Sequence, residues 1–180
     1  MPGGTGGASG SAGAAGSGAT GPGGSSGTSS ACPNDGSSWN ASWQAWECQV
    51  LELTNQRRAQ GATCGGVPYP PTGPLTMHAQ LRQSARLHAQ DMGLNNFFDH
   101  TNLQGQDPFD RMRAAGFQGR TMGENIAAGQ SSPTSVVNGW MQSTGHCQNI
   151  MQGAFKYIGV GYYNAPNNRY KHLWVQNFGG

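Results

Sequence analysis

From residue 43 onward the large apolar side chains return at helical spacing: Trp43, Trp46, Val50 and Leu53, with Leu51 widening the stripe. Arg57 and Arg58 suit the negative pole of such a helix, and Gly61 is a natural cap for its end. Gly65, Gly66, Pro68, Pro70, Pro71 and Pro74 predict a loop over 62–74. A second helix is expected over 76–92, with Thr76 as N-cap and a stripe of Leu81, Ala85, His88 and Met92; Gly93 and Asn95-Asn96 stop it. Asp107-Pro108 puts a capping side chain before a proline at the first helical position, so a short helix should follow over 109–115 and end at Gly116. Glycines punctuate 119–130, and Pro133 opens a helix through Val136, Val137, Trp140 and Met141. In 143–151, Ile150 and Met151 follow His146 and Cys147 at helical spacing. One side of that segment can lie in a core while His146 stays at the edge of a cleft. The period then changes to two: 157–163 and 173–178 read as strands joined by a hairpin at 164–169. Helices first and strands last predict an α+β fold with a mostly antiparallel sheet covered by helices.

Composition divides the chain. Residues 1–31 are almost wholly Gly, Ser, Ala and Thr, have nothing to bury, and read as a flexible tether. Residues 32–45 form a turn-rich extension into the first helix, and 46–180 make one domain that holds most of the large apolar side chains. A net charge of +2 without a basic run excludes nucleic acid as a partner. No apolar stretch approaches the ~20 residues that span a bilayer, and a monomer is expected. Four cysteines suit an oxidising compartment. Met1 opens straight into the tether, so the expectation is an exported protein whose signal has been removed.

The side chains worth weighing for chemistry are His100, Glu124, His146 and the cysteines. His100 follows Phe97-Phe98-Asp99, an aromatic anchor at the end of a buried segment. Glu124, one of three glutamates, sits between Gly123 and a small apolar run, where a partly buried carboxylate needs a partner. Two histidines with one carboxylate could hold Zn2+ or another divalent cation with an open position, or form an acid–base group around a water. On spacing alone, capped or core-satisfied histidines are the plainer reading. His88 lies on an apolar stripe and should be buried and hydrogen-bonded; His78 and His172 have polar neighbours and should be at the surface. Gln176 shares a strand face with Trp174 and Phe178, so it should be a buried polar group that reaches the cleft. Asp110 and Arg111 read as a structural pair or cap. Cys147 beside His146 suggests a thiol nucleophile, but a disulfide is the preferred reading.

Five segments, in order, carry a resemblance: Phe98-Asp99-His100, Gly123-Glu124-Asn125-Ile126-Ala127, Trp140 through Met151 with Ser143-Thr144-Gly145-His146-Cys147 at its centre, Ile158-Gly159-Val160-Gly161, and Trp174-Val175-Gln176-Asn177-Phe178-Gly179. Over residues 47–180 the chain resembles the bacterial branch of the CAP superfamily (cysteine-rich secretory proteins, antigen 5, pathogenesis-related 1), also called SCP-domain proteins. The resemblance implies an α-β-α sandwich with a central cleft holding two histidines and two glutamates. Carried over by motif, these are His100, His146 and Glu124. The second glutamate normally stands three positions after the helix tryptophan, where this chain has Ser143. The set is therefore incomplete, which leaves a two-histidine metal site with Glu124 as ligand or as a group orienting one of them. Four cysteines allow three pairings. Those expected are Cys64–Cys147, clamping the His146 segment to the loop after the first helix, and Cys32–Cys48; a crosslink closing so long a loop contributes roughly 4 kcal/mol on the chain-entropy model.

Three functions compete at this stage. The first is an extracellular or cell-surface domain whose cleft binds a divalent metal and a small ligand, lipid or wall component. The second is a hydrolase or lyase acting on peptidoglycan or protein through the same cleft. The third is a non-catalytic interaction scaffold. The long spacer suits a domain that must stand off a bacterial membrane or wall.

Overall fold

Helix α1 (Ala41–Gln60) starts two residues before the apolar pattern does, because the Asn40 side chain accepts from the backbone N–H groups of Ser42 and Trp43. The computed structural model describes Cys32 and residues 35–180; the expected tether of residues 1–31 lies outside the described residues. The segment expected as a plain loop after α1 contains a small antiparallel hairpin, β1 (Ala62–Cys64) and β2 (Val67–Tyr69), turned by Gly65 and Gly66 at positive φ. Thr76 is not a helix cap. It belongs to β3 (Thr76–Met77), and α2 (Ala79–Asn95) begins only after His78. Asn96 in the left-handed conformation ends α2. The expected Asp107-Pro108 start opens α3 (Pro108–Ala114) with a capping box to Asp110.

A strand unmarked in the sequence pattern, β4 (Met122–Ala128), follows. Next come α4 (Pro133–Gln142), α5 (Thr144–Met151) and the two expected strands, β5 (Tyr157–Ala165) and β6 (Lys171–Gly179). The main sheet runs β3-β5-β6-β4. β6 pairs antiparallel with β5 (Tyr157↔Gly179) and with β4 (Met122↔Gly179), while β3 joins β5 in parallel. Alternation along β6 separates two cores. Trp174 and Phe178 pack under α1, α4 and α5 with Val50, Trp140 and Ile150, whereas Leu173 and Val175 pack under α2 with Ala85, Ala89 and Met92. The result is the α-β-α sandwich that the resemblance implied.

Two close approaches set this packing. A Cβ on Gly159 would lie 2.0 Å from the Leu81 carbonyl carbon, and one on Gly161 would lie 2.3 Å from that of Ala85. Only glycine lets α2 rest on the backbone of β5. On the other face the Trp46 and Trp174 rings stack with centroids 5.8 Å apart and planes 10° from parallel.

The innermost face of α1 is more polar than its apolar stripe suggested. Gln44, Glu47, Thr54 and Arg58 are buried beside Val50 and Leu51, while Trp43, Trp46 and Leu53 flank them half-buried. Glu47 meets Arg82 and Arg86 and accepts from Tyr162 N. Arg58, expected to serve its own helix end, instead donates to the carbonyls of Gly73, Ile150 and Gln152. Both expected disulfides, Cys32–Cys48 and Cys64–Cys147, are formed. His78 and His172 are half-buried rather than at the surface: His78 packs against Phe117 and Tyr157, and His172 Nδ1 lies 2.7 Å from Tyr162 Oη. No helix among the described residues is long and apolar enough to cross a membrane.

Candidate functional site

Strand β4 is one edge of the main sheet, and Glu124 and Asn125, adjacent in sequence, point to its opposite faces. Each therefore finds its partners in a different layer. On the α2 side, Glu124 Oε1 lies 2.8 Å from His100 Nδ1, and Arg111 Nη2 donates to Oε2 at 2.8 Å. Arg111 Nη1 donates to the carbonyls of His100 (2.7 Å) and Gln106 (2.9 Å), so one guanidinium holds both the carboxylate and the loop that bears the histidine. The capping box at Asp107 fixes α3 and sends Arg111 inward: of the expected pair or cap, Asp110 forms the cap, while Arg111 serves the site. With its amide turned to satisfy both neighbours, Asn177 donates to Glu124 Oε2 at 3.0 Å and accepts from Ser84 Oγ at 3.1 Å. His88 is buried as expected, and its Nε2 meets the Asp99 carbonyl at 2.9 Å, steadying the residue before His100. A bond to a carbonyl requires N–H at Nε2.

On the other face, Asn125 Nδ2 donates to the His146 carbonyl and to Gln176 Oε1, each at 3.1 Å. Asn149 Nδ2 donates to Asn125 Oδ1 (2.9 Å) and to the Glu124 carbonyl (3.2 Å). These bonds fasten α5 to β4, and Cys64–Cys147 fastens its far side to the β1–β2 hairpin. Gln176 is fully buried, with its Nε2 on Thr54 Oγ1 at 2.9 Å. It supports His146 through Asn125 and does not open into the cleft, because the buried Thr54 hydroxyl on α1 takes its free end.

Between the two faces, along the outer edge of β4, runs a groove of about 420 Å³ whose walls include Phe98 and Tyr170 on one side and Trp140, Ser143 and His146 on the other. Ser143, at the position where the resemblance implied a second glutamate, both ends α4 and precedes α5. Burial pushes His146 below the ordinary histidine range, and the nearby His100 adds to the effect. The imidazole is therefore neutral at neutral pH.

His100 and Glu124 are thus joined directly, and His146 faces them across the strand edge. Among the described residues no three His, Cys, Asp or Glu side chains are spaced to hold a metal ion, and both Glu124 oxygens are engaged. The donors present do not fit a three-ligand centre. No cysteine among the described residues is free, so Cys147 offers no thiol. Sequence reasoning missed Arg111, Asn125 and Asn149. No local signal marked them, because β4 itself was unmarked in the pattern and Arg111 and Asn149 come from α3 and α5.

The sequence profile of the cysteine-rich secretory protein family, CAP, matches residues 51–178. YkwD of Bacillus subtilis (strain 168), described as uncharacterized, is 40% identical over 148 residues. That alignment takes in 82% of this chain and 52% of the relative. An uncharacterized membrane protein of the same bacterium, YlbC, is 27% identical over 68% of this chain and 33% of its own length. The chain thus spans about half or less of these relatives. Among solved structures, an extracellular SCP-domain protein of Bacillus anthracis superposes with a TM-score of 0.64 at 28% identity, covering 75% of this chain and 40% of that one. An outer surface protein of Borrelia burgdorferi shares the fold with a TM-score of 0.59 at 21% identity, covering 76% and 90%. With its α-β-α sandwich, and a family profile that spans most of its length, this chain belongs to the CAP family of cysteine-rich secretory proteins.

Proposed function

We propose that this chain is an extracellular binding module whose ligand lies in the groove along β4, between the His100 loop and α5. The observation that carries this reading is the groove itself: about 420 Å³, largely apolar walls, and His146 at its rim. Charge at the site is balanced. Arg111 offsets Glu124, and His146 is neutral, so the groove suits an uncharged or amphiphilic ligand such as a cell-wall fragment. Two disulfides and the similarity to an extracellular bacterial protein support the location outside the cell. The test is a nuclear magnetic resonance titration with soluble muropeptides, following the His146 ring. Saturable shifts that vanish in Phe98→Ala, whose ring is exposed on the groove wall, are expected. Unchanged spectra with muropeptides, in protein that remains folded, would remove the wall-binding reading.

A second reading, a hydrolase acting on peptidoglycan or protein, is favoured by the His100–Glu124 pair. A carboxylate on Nδ1 orients an imidazole and leaves Nε2 for a proton transfer. Mass spectrometry of products released from peptidoglycan sacculi decides it: fragments produced by the wild type and not by His100→Ala would establish the enzyme.

A further inference from the structure

The two edges of the main sheet are finished differently. At the β5 edge, His78 N donates to the Ile158 carbonyl through β3, and the outward Tyr162 N–H is taken by Glu47 Oε1. At the β4 edge, residues 123, 125 and 127 carry the ladder to β6, because the flanking pairs Thr121–Gly180 and Gly129–His172 set that alternation. Residues 124, 126 and 128 therefore turn their backbone groups outward. Side chains take two of their carbonyls: Asn149 Nδ2 bonds to Glu124 O, and Trp140 Nε1 to Ile126 O at 3.1 Å. Among the described residues nothing takes the N–H of Glu124 or of Ile126, or the N–H and carbonyl of Ala128. Ile126 and Ala128 line the groove, so a ligand lying there would meet these groups in place of water. Gln130 Oε1, buried and also without a partner, lies at the same end.

We propose that the outer edge of β4 takes an uncharged, extended peptide as an added antiparallel strand, with one residue of the peptide paired to Ala128 through both of its backbone groups and the residue two further on accepting from Ile126 N–H. The outward N–H groups of Ile126 and Ala128 stand about 6.8 Å apart, the repeat of a peptide's alternate carbonyls. An N–H and a carbonyl free on the same residue match an amide chain, which offers both together; a glycan does not repeat them at that interval. Peptide residues opposite 126 and 128 turn their side chains toward Phe98 and Tyr170, and the residue between them turns toward Trp140 and His146. Ala127 and Ala128 keep the floor of the groove low enough for a backbone to reach it. The proposal deepens, and rests on, the reading of this groove as the ligand site.

The test is amide hydrogen exchange on the full chain, with a pool of acetylated, amidated hexapeptides drawn from the uncharged amino acids. Slowed exchange at Ile126 and Ala128, with Asn125 and Ala127 unaffected, is expected. Ala128→Pro removes an outward N–H where no ladder bond is made. It should fold and bind the pool about tenfold more weakly. The wild-type exchange pattern decides the matter even if the proline variant does not fold. Peptide-free N-acetylated glycan chains that slow these amides where the peptides do not would overturn the peptide and leave the binding module standing. A concentration-dependent dimer that protects the same amides would assign the edge to a second copy and overturn the proposal. If neither peptides nor glycans slow them, this proposal fails, and the titration followed at the His146 ring decides separately whether the groove binds.

Discussion

Arg111 donates to Glu124 Oε2 at 2.8 Å and, through its other terminal nitrogen, to the carbonyl of His100 at 2.7 Å. The carboxylate and the loop of the histidine it orients therefore share one anchor. Arg111→Ala leaves Glu124 buried without its counter-charge, at an expected cost of about 3–5 kcal/mol read from urea denaturation. Arg111→Lys keeps the charge but not the fork, so the fold should largely survive while the His100 ring signals broaden. An alanine variant as stable as the wild type would contradict this account.

Glu47 is the second buried anion that deserves a variant. It is 0% exposed, and both Arg82 and Arg86 reach it, at 2.8 and 2.6 Å. Glu47→Ala removes the anion these guanidiniums share and the acceptor of Tyr162 N–H; a loss of about 3–5 kcal/mol is expected, with Glu47→Gln recovering part of it. A shift of the urea midpoint smaller than that for a typical surface substitution would rule out this role.

Stability should fall on mild acidification. Burial pushes His88 below the ordinary histidine range, and burial followed by His100 does the same to His146. The unfolded chain takes up these protons near pH 6.5, the folded chain only at lower pH, so their contribution is complete above that value and is lost as pH falls through and below it. The urea midpoint should therefore drop between pH 7 and pH 5, and His88→Gln should flatten part of that slope. Asp35 acts in a separate, more acidic window. Burial raises its carboxyl, but hydrogen bonds from Ser37 and the charges of Arg86 and Arg82 outweigh this and hold it at about 2. A wild-type midpoint equal at pH 7 and pH 5 would count against the histidine account.

Gly161→Ala puts a methyl 2.3 Å from backbone atoms of α2 that have nowhere to go. A loss of about 3 kcal/mol or more is expected, as for severe overpacking. Gly145→Ala is the matched control, since nothing lies within 4 Å of its added carbon; it should be neutral or slightly stabilising. Thermal melts of the two variants side by side make the comparison.

What could be read in the sequence was what is decided locally. Asp107-Pro108 and Pro133 announced their helices, and the alternation in 157–163 and 173–178 announced β5 and β6. β3 was hidden because two residues become a strand only when Thr76 N reaches the carbonyl of Lys156, far along the chain. β4 was hidden because its faces carry Glu124 and Asn125, whose partners Arg111 and Asn149 come from α3 and α5. The inner face of α1 was misjudged for the same reason: Glu47 is tolerable inside only because Arg82 and Arg86 come from α2. The pairing of His100 with Glu124 was indicated by family resemblance, since separations along the chain carry no such information.

The stacked indoles of Trp46 and Trp174 join α1 to β6, one ring from each layer. The two rings sit 5.8 Å apart, with Tyr162 4.2 Å from Trp174, so the near-ultraviolet circular dichroism should carry a band that depends on this aromatic cluster being assembled. That band reports the docking of helix on sheet directly, without a label. It gives every variant above an optical check on whether the sandwich has closed before any question is asked of its groove.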